Sequence, residues 1–147
     1  MFLVPRVTLG GGLVLFWKDS MNLNVETSYV ETSYVETSSK NHIDCIIDKG
    51  KEEAWRFTGF YGEPIMHKRH ESWDLLRQHK SQFLLPWVCA EDYNEFVRGS
   101  EKKGGANRSH AQMQLFRDAL DACEFIDMGY SGCQFTWKKF FRDGNST

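Results

Sequence analysis

Residues 25–39 read Val-Glu-Thr-Ser-Tyr, Val-Glu-Thr-Ser-Tyr, Val-Glu-Thr-Ser-Ser, a step of five that holds until its last place. A β-strand repeats its side-chain direction every two residues and an α-helix every 3.6, so a step of five keeps neither set of copies on one face. The repeat therefore reads as duplicated sequence inserted where one copy suffices. Its Val, Thr and Tyr content favours β structure. A long or slipped strand, or a hairpin bulging at the surface, is the expectation.

On both sides of the repeat the pattern is that of a layered α/β domain. Leu13-Val-Leu-Phe-Trp17 reads as a buried strand behind the turn-forming Gly10-Gly-Gly12, and His42-Ile-Asp-Cys-Ile-Ile47 as a second. Ala54 to Tyr61 alternates as a third, with Trp55, Phe57, Gly59 and Tyr61 on one side, and is stopped by Gly62 and Pro64. From His67 to Lys80 the period becomes helical, with Trp73, Leu76 and Phe83 as the inward stripe, assisted by Leu75. His79 falls beside that stripe as a half-buried spacer. Leu84 to Ala90 reads as a buried strand entered through Pro86. A second helix starts near Ser109, which with Gln112 has the spacing of a capping box, and carries Met113, Phe116, Leu120 and Cys123 inward. Gly132 to Trp137 is a final expected strand. A chain of 147 residues with 41% hydrophobic content supports one domain spanning residues 1–147.

Eighteen Lys and Arg against twenty Asp and Glu leave a formal charge of −2, which argues against nucleic-acid binding by whole-protein charge alone. A local groove remains compatible with this balance. The apolar opening is cut by Pro5, Arg6 and three glycines, far short of the ~20 residues a membrane span needs. No secretory cleavage pattern follows it, so an intracellular location, nuclear or cytoplasmic, without membrane attachment is expected. Cys45, Cys89, Cys123 and Cys133 have neither zinc spacing nor the density of a disulfide framework, and read as free thiols.

The sharpest polar cluster is Glu91-Asp-Tyr-Asn-Glu95, directly after the apolar Trp87-Val-Cys-Ala90. If the strand continues, Asp92 and Asn94 share a face at its carboxyl end, where they can orient a water and hold a phosphate oxygen. A polar strand end is the alternative. Glu95 and Glu101 read as solvated charges, and Asp127 as a corner between helix and strand. Arg98, Lys102, Lys103 and Arg108 are candidates for contact with a DNA backbone, or serve solubility.

Trp87 to Glu95, together with Phe57-Thr-Gly-Phe-Tyr-Gly62 and Glu101-Lys-Lys-Gly-Gly-Ala-Asn-Arg108, resembles the endonuclease/exonuclease/phosphatase superfamily. The similarity is strongest to the apurinic-type endonuclease domain of plant non-long-terminal-repeat retrotransposons. It extends through Gly11 to Trp17, His42-Ile-Asp44, Met113 to Arg117, Asp127 to Tyr130 and Phe135-Thr-Trp137. The resemblance implies a four-layer α/β sandwich of the deoxyribonuclease I-like kind that hydrolyses phosphodiesters with Mg²⁺ or Mn²⁺. It also implies a phosphate-region contact for Tyr61, an attacking-water partner in Asp92, and Asn94 beside it.

Relative to that family the sequence lacks the initial strands bearing an asparagine and the metal-binding glutamate, and the closing aspartate and Asp-His pair. It also has Glu91 in place of a glycine, Tyr93 in place of a phenylalanine and His79 in place of a leucine. The resemblance thus implies an incomplete, truncated sandwich with no complete metal site, no cofactor confidently retained and no useful turnover alone. The alternatives are a non-enzymatic DNA-binding or protein-interaction module, self-associating weakly through an unfinished sheet edge, or an unstable product without a selected role.

Overall fold

The computed structural model describes residues 1–5, 12–21, 23–24, 38–39, 41–82, 84–133 and 135. Among the described residues the α/β fold contains two small sheets and two α-helices, and the chain divides into two compact units. The first comprises Met1–Pro64 and Phe83–Asn94; the second, Ile65–Gln82 and Glu95–Thr147.

In the first unit, β1 (Phe2–Val4) pairs antiparallel with β2 (Leu13–Leu15). The strand expected over residues 13–17 is shorter than its apolar run, because Phe16 is exposed beyond the paired residues. The larger sheet contains β3 (Leu23–Asn24), β4 (Ser38–Ser39), β5 (His42–Ile47), β6 (Trp55–Tyr61) and β7 (Trp87–Asp92). Its order is β3-β5-β6-β7, with β4 also on β5. Every residue of β5 is buried, as expected of a strand with neighbours on both edges and cover on both faces. β5 and β6 are antiparallel and joined through the turn at Asp48, whose φ is 54°, and Gly50; β6 and β7 are parallel. The body of the repeat, residues 25–37, lies outside the described residues, so the expected slipped strand or hairpin does too.

β6 alternates as the sequence predicts, but the aromatic side is not the deeper one. Arg56, Thr58 and Phe60 are buried, whereas Trp55, Phe57, Gly59 and Tyr61 are intermediate. The buried polar pair is tolerated because each group has a partner. Arg56 Nε donates to Asp44 Oδ1 at 2.9 Å and Oδ2 at 3.0 Å, and Nη2 to Oδ2 at 2.6 Å. Thr58 Oγ1 donates to Asp44 Oδ1 at 2.7 Å and accepts Trp87 Nε1–H at 2.8 Å. The Arg56 guanidinium also lies 4.8 Å from the centroid of the Trp87 ring. This network links β5, β6 and β7 across one face. β7 is displaced from the expected strand over residues 84–90: Leu84 is fully exposed, and pairing starts at Trp87 after Pro86 and continues through Asp92.

In the second unit, a 3-10 turn at Met66–Lys68 leads into α1 (Arg69–Gln82). Its inward residues are Arg69, Ser72, Trp73, Leu76 and His79, so Leu75 is only partly covered and Phe83 lies outside the described residues. His79 is 1% exposed, fully enclosed rather than half-buried. α2 (His110–Ala122) buries Met113, Phe116 and Ala119, with Cys123 at its end. Ala119 takes the place expected for Leu120, because its phase lies closer to the centre of the stripe. The Trp73 and Phe116 rings stack with centroids 4.6 Å apart. Ser109 has the extended backbone of an N-cap but makes no side-chain cap hydrogen bond, so the expected capping box does not form.

None of the four cysteines is in a disulfide; Cys45 and Cys123 are buried, Cys89 intermediate and Cys133 exposed. Burial raises the Cys123 thiol pKa, against the smaller opposing influence of Arg77 and Lys80. The final expected strand is not formed by residues 132, 133 and 135, and its remaining positions lie outside the described residues. No helix among the described residues is long and apolar enough to cross a membrane.

Candidate functional site

The carboxyl ends of β6 and β7 place Tyr61 directly beside Asp92 in the parallel register. Partners in a parallel ladder project to the same sheet face, so the two side chains share an aspect. Tyr61 is partly exposed and Asp92 exposed. The pairing of Asp92 with Asn94 expected from a continuing strand does not occur. β7 ends at Asp92, and Asn94 has a φ of 55° in the left-handed region. Asn is among the few non-glycine residues that occupy this region readily.

Asn94 instead closes a turn. Its backbone N–H donates to Asp92 Oδ1 at 2.9 Å, and its side-chain Nδ2 donates to the Gly62 carbonyl at 2.8 Å. Gly62 N–H in turn donates to the Asp92 carbonyl at 2.8 Å. A third attachment holds Tyr61 from the other side: its N–H donates to the Asn41 carbonyl at 2.6 Å, while Asn41 Nδ2 donates to the Tyr61 carbonyl at 2.8 Å.

Gly62 is a residue whose importance composition does not reveal. A Cβ there would lie 2.2 Å from the Tyr93 carbonyl oxygen and 2.5 Å from its carbon, so only glycine fits without moving backbone. Its position immediately after Tyr61 signals a strand end. The close approach of a residue thirty-one places further along is not encoded in local pattern. Tyr93, whose ring centroid is 6.0 Å from that of Phe60, is partly covered.

The basic candidates belong to the second unit, where their surroundings differ. Arg108 Nε lies 2.9 Å from Glu95 Oε1, and its guanidinium is 5.3 Å from the centroid of the Phe96 ring. Arg69 Nη1 donates to the other Glu95 oxygen at 2.9 Å. The Glu95 side chain is 1% exposed, so this carboxylate is enclosed between two guanidiniums rather than solvated. Glu101 is also engaged, accepting the N–H groups of Val97 and Arg98 at 3.0 Å each. Lys102 Nζ donates to the Ala106 carbonyl, while Arg98 and Lys103 are exposed. Thus Arg98 and Lys103 combine charge with exposure, whereas Arg108 and Lys102 serve the chain's own folding. Asp127 accepts the Gly129 N–H at 2.8 Å, the expected role of a corner residue.

A divalent cation bound for phosphodiester chemistry takes several oxygen ligands, with carboxylates prominent among them. Among the described residues no group of three or more His, Cys, Asp and Glu could hold a metal ion. The Mg²⁺ or Mn²⁺ implied by the sequence resemblance therefore does not fit the described residues. The chain matches no protein-family model, no curated protein and no solved structure.

Proposed function

We propose that this chain is a degenerate nuclease-type domain, related to the endonuclease/exonuclease/phosphatase superfamily and its retrotransposon endonucleases, that does not turn over DNA by itself. On this reading the sheet belongs to an incomplete four-layer sandwich of the deoxyribonuclease I-like kind. The observation that carries it is the register pairing of Tyr61 with Asp92, with Asn94 locked in the next turn. That end of the sheet presents a phenol and a carboxylate where a phosphodiester and its attacking water would lie. Its weakness is charge. Losing one preorganised stabilising donor typically costs ~10²–10³ in rate, and this end has no metal-holding carboxylate group among the described residues.

Pure protein incubated with abasic and supercoiled DNA in Mg²⁺ or Mn²⁺ should give no cleavage above that of Asp92→Ala. Multiple turnovers lost on that substitution would contradict the inactive reading while supporting the ancestry.

A second reading, DNA binding without cleavage, draws support from the exposed Arg98 and Lys103. It is weakened by the internal engagements of Lys102 and Arg108. Salt-dependent binding of duplex DNA, reduced by Arg98→Ala together with Lys103→Ala, would favour it. Concentration-dependent dimerisation without DNA binding would instead favour self-association through an unfinished sheet edge.

A further inference from the structure

The two short strands flanking the repeat lie on the same edge of β5. Leu23 and Asn24 oppose Ile47 and Ile46, while Ser38 and Ser39 oppose Ile43 and His42, both antiparallel. Between these pairings β5 offers two positions, Asp44 and Cys45, whereas the connection from β3 to β4 supplies thirteen residues, 25–37. Eleven are therefore surplus to an unbroken ladder. Two complete pentapeptides account for ten of these.

We infer that two of the three pentapeptide copies are dispensable to the fold, and that the edge of β5 between Ile46 and Ile43 is an insertion point that accepts added length without changing the register of either flank. The requirement is a minimum span. Covering the distance from Ile46 to Ile43 takes two intervening residues at about 3.4 Å per step. Three residues meet it; one cannot.

Two deletions straddle that threshold. Removing Val25–Tyr34 leaves three residues between Asn24 and Ser38; removing Val25–Glu36 leaves one. Since ladder N–H groups alternate between edges, and Asn41 faces β6, those of His42 and Ile46 face β3 and β4. The ten-residue deletion should keep both amides protected from hydrogen exchange. Its melting midpoint should be unchanged or raised by about 2–4 °C through the shorter connection. The twelve-residue deletion should lose protection at one of the two amides while the β5–β6 amides stay protected. Loss of either amide's protection in the ten-residue deletion, or retention of both in the twelve-residue deletion, would overturn the inference.

Discussion

Among the described strands, the two sides of the larger sheet are held in opposite ways. Along β5, two dipeptide strands fill one edge with thirteen residues of chain between them. At the other edge β7 pairs continuously over six residues and is fixed at both ends: Trp87 joins the buried Asp44–Arg56–Thr58 network, and Asp92 is tied to Gly62 and Asn94. Short strands joined by a long connection should tolerate changes in its length down to the minimum span. An edge whose strand ends carry specific side-chain and close backbone contacts is sensitive to single atoms. The candidate site lies on the second kind, so its geometry should survive changes in the repeat and fail on small changes nearby.

The largest expected effect comes from the network beneath β7. Arg56→Met removes the cation from Asp44 and leaves a buried carboxylate without its charge partner, a change that typically costs about 3–5 kcal/mol. Chemical denaturation should register that loss, whereas a cost below about 1 kcal/mol would show that the network does not anchor the edge.

Gly62→Ala comes next. Its Cβ must displace the Tyr93 backbone, and about 3 kcal/mol of destabilisation is expected. The backbone signals of Tyr61, Asp92 and Asn94 should shift together in an amide correlation spectrum. Unchanged signals would separate the two strand ends and break the proposed coupling.

Asn94 tests the same end more gently. Asn94→Ala forfeits the hydrogen bond to Gly62 and puts a less tolerant residue at positive φ, for about 2 kcal/mol. Asn94→Gly restores the backbone freedom but not the hydrogen bond and should cost about 1 kcal/mol. If alanine and glycine cost the same in thermal denaturation, conformation contributes nothing there. Smallest of all, deletion of the single copy Val25–Tyr29 should change stability by less than about 0.5 kcal/mol, because a closing segment's entropy varies slowly with its length. A larger change in the same denaturation experiment would mean that the repeat is integral to its edge.

The sequence conveyed the elements governed by local periodicity. The alternation of β6, the helical phase of Trp73 and Leu76, and the core positions Met113 and Phe116 follow from side-chain spacing, and the structure has them. What escaped depends on contacts between distant residues. The inward polar face of β6 needed Asp44 and Trp87 to complete it, and nothing in Trp55–Tyr61 alone specifies that Arg56 and Thr58 lie deeper than the aromatics. The enclosure of Glu95 similarly required Arg69 and Arg108, separated widely along the chain. At the site, Tyr61 and Asp92 were identifiable as residues, but their register was not. The shared face of Asp92 and Asn94 depended on the strand continuing; β7 ends at Asp92, and the two-residue period stops applying once the backbone turns to positive φ at Asn94, as in the alternative of a polar strand end.

The most direct test of the site is a Mn²⁺ titration of pure protein followed by paramagnetic broadening of backbone signals. With no group of three or more His, Cys, Asp and Glu placed to hold a metal ion among the described residues, the expected result is no saturable, one-to-one broadening centred on Tyr61, Asp92 and Asn94. Stoichiometric saturation at micromolar Mn²⁺, abolished by Asp92→Ala, would show that the strand ends assemble a metal site and would contradict this account.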